Sequence, residues 1–308
     1  MAKKSGNSKS AVSKRAMFCG LMTALITPFK KNGQVDYPAL RRLVEDQIQN
    51  GTDVLVPIGT TGESLTLTDE EKIRVVKTVV EQAKKRIPVV AGSGTNDTAK
   101  SIMLSKEMKK AGADGLLLVC PYYNKPTQKG FYLHFAEIAS SVNLPIILYN
   151  VPGRTGRKMD NDVTIKLAKE FPNIVAMKEA TGDINNIKDL IARAPKNFNV
   201  ISGDDSLTVE IIRNGGKGII SVVSNILPGE VKKMTELALQ GNYEAAEKIN
   251  EHLNKLYEVI FIETNPIPVK TALAMQGKIE EKFRLPMCEM EPENKEKLRR
   301  VLKEMKLI

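Results

Sequence analysis

A chain of 308 residues that is 42% hydrophobic and 27% charged has the composition of a globular protein with a large buried core, arranged as two domains or one large barrel. No apolar stretch approaches the ~20 residues of a membrane helix, and no apolar segment near the N-terminus has the form of a secretory signal. The cysteines, Cys19, Cys120 and Cys288, are odd in number and lack metal-ligand spacing, which fits free thiols in a reducing compartment and makes the cytoplasm the expected location.

Half of the net charge of +10 comes from residues 1–16, where Lys3, Lys4, Lys9, Lys14 and Arg15 stand with no acid. This segment reads as a basic disordered arm or a tag. Elsewhere basic residues alternate with acids, as in Glu70-Glu71-Lys72 and Lys106-Glu107-Met108-Lys109. That is the pattern of solvated helix faces rather than a basic stripe. With no tryptophan to stack on bases, nucleic acid is not an expected partner, and neither is a membrane.

From Phe18 onward, strand-length apolar runs alternate with segments of helical period. The runs begin near Leu21, Val54, Pro88, Leu116, Ile146, Ile174, Val200 and Gly218. Helix starts are marked by Asp36 with Pro38 in the first turn, by the capping box Thr68-Asp69-Glu70-Glu71, by Asp97 or Thr98, and by Thr127. Asp160, Asp183 and Asp205 lie near three further starts, and Gly51, Gly112 and Gly215 mark ends. Eight strand–helix units predict an α/β fold, a (β/α)8 TIM barrel, with strands and most helices over residues 17–227. An open doubly wound sheet would carry a glycine-rich turn after the first strand, and Thr27-Pro28-Phe29 stands there instead. Residues 228–308 read as the last barrel helix and a helical C-terminal extension, with helices at 244–262, 266–275 and 293–305.

One strand-length run, Asn173-Ile174-Val175-Ala176-Met177-Lys178, ends in a lysine. Locally, this lysine either reaches back to solvent or is buried. Burial would disfavour its charged form and free the amine to attack a carbonyl. Barrel chemistry sits at the C-terminal strand ends, so the other ends decide how to weigh it. They hold Gly59-Thr60-Thr61-Gly62, Tyr122-Tyr123, Tyr149-Asn150-Val151-Pro152-Gly153-Arg154, Gly203-Asp204-Asp205 and Ile220, but no histidine. His134 and His252 fall within predicted helices, so no metal or other cofactor is expected. Schiff-base chemistry at Lys178 on a keto acid is what remains, with a phenol such as Tyr149 moving protons and a guanidinium such as Arg154 holding a carboxylate.

Gly-Thr-Thr-Gly-Glu-Ser at 59–64, Pro-Tyr-Tyr-Asn-Lys-Pro at 121–126, Tyr-Asn-Val-Pro-Gly-Arg-Thr-Gly at 149–156 and Lys-Glu-Ala-Thr-Gly at 178–182 closely resemble the dihydrodipicolinate synthase family of pyruvate-dependent class I lyases and aldolases. Ser-Gly-Asp-Asp at 202–205 and Asn-Pro-Ile-Pro-Val-Lys at 265–270 agree with it. The resemblance implies condensation of pyruvate with L-aspartate 4-semialdehyde, giving 4-hydroxy-tetrahydrodipicolinate in the diaminopimelate branch of lysine biosynthesis. It implies Lys178 as the Schiff-base lysine. Tyr149, Thr60 and Tyr123 would form a proton relay, with Tyr123 reaching a neighbouring subunit of a homotetramer. Thr61 would bind the pyruvate carboxylate and Arg154 that of the semialdehyde, while Gly203 and Ile220 would line the pocket.

Two other functions compete with this one. An N-acetylneuraminate or 2-keto-3-deoxy sugar-acid lyase of the same superfamily would share the lysine and tyrosine but generally differ at Arg154 and Thr60-Thr61. A non-catalytic ligand- or nucleic-acid-binding barrel leaves the coincidence at the strand ends unexplained. Lysine-inhibited members place an acidic residue where Lys100 stands, near Asn96, and imidazole or aromatic groups where Asp69 and Lys72 stand. A cation at 100 would repel the ammonium of a lysine effector, so weak or absent feedback inhibition is expected.

Overall fold

The computed structural model describes residues 18–308, so the basic arm expected at 1–16 lies outside the described residues. The eight apolar runs form parallel strands: β1 Gly20–Ala24, β2 Val54–Val56, β3 Val90–Gly92, β4 Gly115–Val119, β5 Ile146–Asn150, β6 Ile174–Glu179, β7 Asn199–Ser202 and β8 Gly218–Ser221. They pair in the order β2-β1-β8-β7-β6-β5-β4-β3. A parallel bridge between Leu55 and Val89 joins the two ends and closes the barrel. One helix follows each strand: α1 Tyr37–Gln49, α2 Asp69–Ala83, α3 Thr98–Lys110, α4 Gln128–Ser141, α5 Asn161–Glu170, α6 Ile184–Arg193, α7 Thr208–Arg213 and α8 Pro228–Leu239. Three more, α9 Tyr243–Ile260, α10 Ile267–Met275 and α11 Pro292–Glu304, form the C-terminal extension. The expected (β/α)8 barrel with its helical extension is therefore the fold.

Local sequence accounts for most boundaries. Asp36, Asp97, Thr127 and Asp183 cap their helices through side-chain oxygens, and Thr68 with Glu71 forms a reciprocal capping box. Asp205 differs. It lies three residues before α7 but does not cap it; its carboxylate is buried, accepting from Ser221 Oγ at 2.5 Å and Val222 N at 3.0 Å. A barrel interior offers that carboxylate donors from the neighbouring strand that a surface helix end cannot.

Strands β1, β5 and β6 are buried along their full length, as expected when one face meets the barrel interior and the other the helices. Met22, Val54, Val56, Val90, Leu117 and Ile147 are among the side chains that fill the interior. On β6 the pairing with β5 jumps from Ile146↔Ile174 to Ile147↔Ala176, leaving Val175 as a bulge. The bulge sets the facing of the strand's end. Met177 joins the core beneath the helices, while Lys178 pairs with Tyr149 on one side and Ile201 on the other. His134 is buried in α4, with Nδ1 2.9 Å from Thr98 Oγ1, and His252 is exposed on α9. Among the described residues no helix is long and apolar enough to cross a membrane.

Candidate active site

Lys178 lies at the end of β6, 6% exposed, in a cavity of about 580 Å3 at the C-terminal mouth of the barrel. Of the eight residues expected at the site, seven line that cavity: Thr60, Thr61, Tyr149, Arg154, Lys178, Gly203 and Ile220. They come from five strand ends that together span more than a hundred residues of sequence. Tyr123 is not among them. It projects outward, 89% exposed, with φ +72°.

Burial holds the Lys178 ammonium well below its usual range, at about 8. The Asp205 carboxylate opposes that fall and the Arg154 guanidinium adds to it. With a pKa near 8, about a tenth of the lysine is a neutral amine at pH 7, some hundreds of times more than for a solvated lysine. Among the described residues no carboxylate forms an ion pair with it, and Nζ lies 4.4 Å from the centroid of the Tyr149 ring. Burial pushes the Tyr149 phenol up, while the Arg154 charge and a hydrogen bond with Thr60 pull it back. A weakly acidic phenol beside an amine with an available lone pair can pass a proton in either direction.

Gly203 explains how the lysine is accommodated. A Cβ there would come within 2.6 Å of Ala180 Cβ and 3.1 Å of Lys178 Cε. Only glycine leaves room for the lysine chain to extend across β7. Thr60 and Thr61 sit in the turn after β2, bracketed by Ile58 and Glu63 with φ of +52° and +51°. Thr61 Oγ1 accepts a hydrogen bond from Asn265 Nδ2 at 3.0 Å, and Arg154 Nη2 donates to the Asn265 main-chain oxygen at 3.3 Å. Asn265 thus links the hydroxyl side of the cavity to its guanidinium side. Arg154 itself is carried on the single helical turn Pro152–Thr155.

Several lining or supporting residues had no role assigned from sequence. Asp205 is the nearest negative charge acting on Lys178, and burial pushes it up to about 6. Its place in the Ser-Gly-Asp-Asp motif was visible; its inward orientation was not. Asn254, Tyr257, Glu258, Phe261 and Asn265 form a roof from the C-terminal extension. The helical period of the extension marked a different set, Ala245, Ile249, Leu253, Leu256 and Ile260, as its covering face. Glu179 is fully buried and pushed up to about 7 by that burial, against hydrogen bonds from Thr181 and Asn150. It faces away from the cavity, on the opposite side of β6 from Lys178. A second cavity of about 290 Å3 shares Thr60, Tyr149, Arg154 and Asn265 as a wall and extends past Ser64, Leu65 and Tyr122. Outside the lining of either cavity, Asp69 holds both Lys72, at 2.9 Å, and Lys100, at 3.6 Å.

The arrangement is repeated in known proteins. The dihydrodipicolinate synthetase family matches residues 17–305. A 4-hydroxy-tetrahydrodipicolinate synthase from Syntrophotalea carbinolica is 52% identical over 286 residues, covering 93% of this chain and 97% of its own. The crystal structure of dihydrodipicolinate synthase from Aquifex aeolicus superposes with a TM-score of 0.93 at 50% identity, covering 94% of this chain and 99% of that one. A structure described as the first monomeric dihydrodipicolinate synthase variant superposes with a TM-score of 0.93 at 42% identity, over 96% and 99% of the two chains. A match of this extent, over nearly the whole chain and on the same barrel, means that the chain belongs to the dihydrodipicolinate synthetase family.

Proposed function

We propose that this enzyme condenses pyruvate with L-aspartate 4-semialdehyde to give 4-hydroxy-tetrahydrodipicolinate, with Lys178 as the nucleophile. The observation that carries the reading is a buried lysine without an ion-paired carboxylate, its pKa lowered to about 8, beside a tyrosine in the cavity at the barrel mouth. The neutral amine attacks the keto carbon of pyruvate, and the carbonyl oxygen leaves as water to give a Schiff base. Loss of a methyl proton then makes an enamine, whose carbon attacks the aldehyde of the second substrate. The α-amino group of that substrate displaces Lys178 from the imine carbon, which closes the ring and frees the enzyme.

Tyr149 and Thr60 carry protons in these steps: the Tyr149 ring lies 4.4 Å from Lys178 Nζ, and Thr60 lines the same cavity and hydrogen-bonds the phenol. Thr61 takes the carboxylate of pyruvate, and Arg154 at the rim takes that of the semialdehyde, where a planar guanidinium can bind bidentately. Gly203 and Ile220 shape the wall. Tyr123, exposed and backbone-constrained, completes the relay in a neighbouring subunit of a homotetramer, and the enzyme works in the cytoplasm. Residues 228–308 are the last barrel helix and a helical extension that roofs the site rather than forming a separate domain.

Borohydride reduction in the presence of pyruvate should leave an adduct on Lys178 by mass spectrometry; an adduct elsewhere, or none, overturns the mechanism. Turnover with aspartate semialdehyde but not with N-acetylmannosamine supports the synthase over a sugar-acid lyase. For the assembly, sedimentation as a tetramer and a lower kcat in Tyr123→Phe are expected. A fully active monomer would remove Tyr123 from the relay.

A further inference from the structure

The turn that carries Thr60 and Thr61 is held in an unfavourable backbone shape. Ile58 and Glu63, at its two ends, both adopt left-handed φ values of +52° and +51°. For a β-branched residue such as Ile58 this is a genuine outlier, and such strain persists only where the surroundings over-determine it. The turn's own bonds are few: Gly62 N to Gly59 O at 3.2 Å, Glu63 N to Thr60 O at 3.0 Å, and Thr27 Oγ1 to Gly62 O at 2.7 Å.

The rest of the restraint comes from the far end of the chain. The Glu63 carboxylate is buried and forms an ion pair with Lys270 on α10, whose side chain is likewise buried. The Lys270 ammonium lies 4.2 Å from the centroid of the Phe29 ring and 5.0 Å from that of Phe283, so aromatic faces seal the pair from water. Arg284 extends the grip, with Nη1 donating to Thr66 O at 2.9 Å and the guanidinium bridging to Glu71 at 2.6 Å. Neither Glu63 nor Lys270 lines the cavity that holds Lys178; Glu63 borders only the adjoining smaller cavity, and Lys270 borders neither.

We propose that Lys270, acting through Glu63, is a positioning residue that holds the Thr60-Thr61 turn in the shape that binds pyruvate. Resting on the function proposed above, this assigns to α10 a part in catalysis. An ordinary buried ion pair is worth little to stability compared with apolar replacements. A pair that fixes a strained, substrate-facing turn is worth more in geometry than in folding energy. The consequence is selective. Thr61 faces pyruvate, whereas the semialdehyde carboxylate is held by Arg154, which Lys270 does not contact.

The test uses the full-length enzyme as Lys270→Met, as Glu63→Gln, and as the double variant that leaves no unpaired charge. All are assayed below their measured melting temperatures. Each single variant should raise the pyruvate KM about tenfold or more and slow borohydride trapping, while the KM for L-aspartate 4-semialdehyde stays within about twofold. The double variant should regain thermal stability but not the pyruvate KM. Equal changes in both KM values, or recovery of the pyruvate KM together with stability in the double variant, would reduce the pair to a structural role and overturn the inference. If the wild-type enzyme forms no adduct with pyruvate, the proposed function fails instead, which separates the two outcomes. Should Lys270→Met not fold, Glu63→Gln keeps the shape of the side chain and carries the same test.

Discussion

Among the described residues two lysines are buried, and of the two Lys178 alone lines the cavity at the barrel mouth. Lys178 is 6% exposed and Lys270 fully buried, and desolvation pulls both below the usual lysine range. Lys270 is held against Glu63, whose charge and hydrogen bond oppose that fall, and it is enclosed by Phe29 and Phe283. Lys178 has Tyr149 beside it, open cavity ahead of it, and among the described residues no ion-pair partner. Burial alone therefore does not make a nucleophile. Both amines are lowered to about 8, so what separates them is access: Lys270 is locked in an ion pair between aromatic rings, while Lys178 opens onto a cavity large enough for a carbonyl compound.

The sharpest way to break this comparison is to remove each lysine in turn. Lys178→Ala should abolish borohydride trapping and lower kcat by about 10⁴-fold or more, while the melting temperature is unchanged or higher, because no partner is left unpaired. Trapping that survives in this variant would transfer the chemistry elsewhere. Lys270→Met should do the opposite to stability. It strands the Glu63 carboxylate in the core and should cost about 3–5 kcal/mol in denaturant unfolding; a loss below about 1 kcal/mol would mean that the carboxylate finds water or a proton easily.

Acidity gives the next effect. With the Lys178 pKa at about 8, the neutral amine grows about tenfold per pH unit below that value and levels off above it. The rate of Schiff-base formation should follow the same curve. Stability has the same sign. Between pH 8 and the unfolded lysine value near 10.5, the unfolded chain binds a proton that the folded one does not, so stability rises with pH. Lys270, lowered to about 8 as well, adds a slope of the same sign in the same window, so Lys178→Met should reduce the slope, and an unchanged slope would assign it to Lys270 alone. The smallest effect concerns two more exposed lysines. Lys72 and Lys100 share Asp69 at 2.9 and 3.6 Å, leaving a net positive charge where a lysine effector would present its ammonium. Millimolar lysine should change turnover by less than about twofold, and Lys100→Glu should increase whatever inhibition there is.

The barrel was legible because its signals are local and repeated. Eight apolar runs, capping residues such as Thr68 with Glu71, and glycines such as Gly51 past helix ends each act within a few residues of themselves. Seven site residues were legible for a related reason, since a parallel barrel brings every C-terminal strand end to one mouth. Asp205 shows the limit. An aspartate just before a helix has a cap as its local meaning, and only the neighbouring β8 supplies Ser221 and Val222 as donors that turn it inward. Tyr123 marks a different limit: it stands 89% exposed outside the cavity, which its place in a strand-end motif did not reveal.

By itself, then, the sequence determined the order of elements, the strand ends and the residue types that meet there, because period, capping and turn chemistry are short-range. Only the tertiary structure decided which lysine is free. Lys178 and Lys270 differ through partners that lie far off in the chain. Glu63 is 207 residues from Lys270, and the roof over Lys178 comes from helices that follow the last strand. Desolvation and pairing depend on which groups fold together, so the same side chain is a structural cation in one place and a reactive amine in the other.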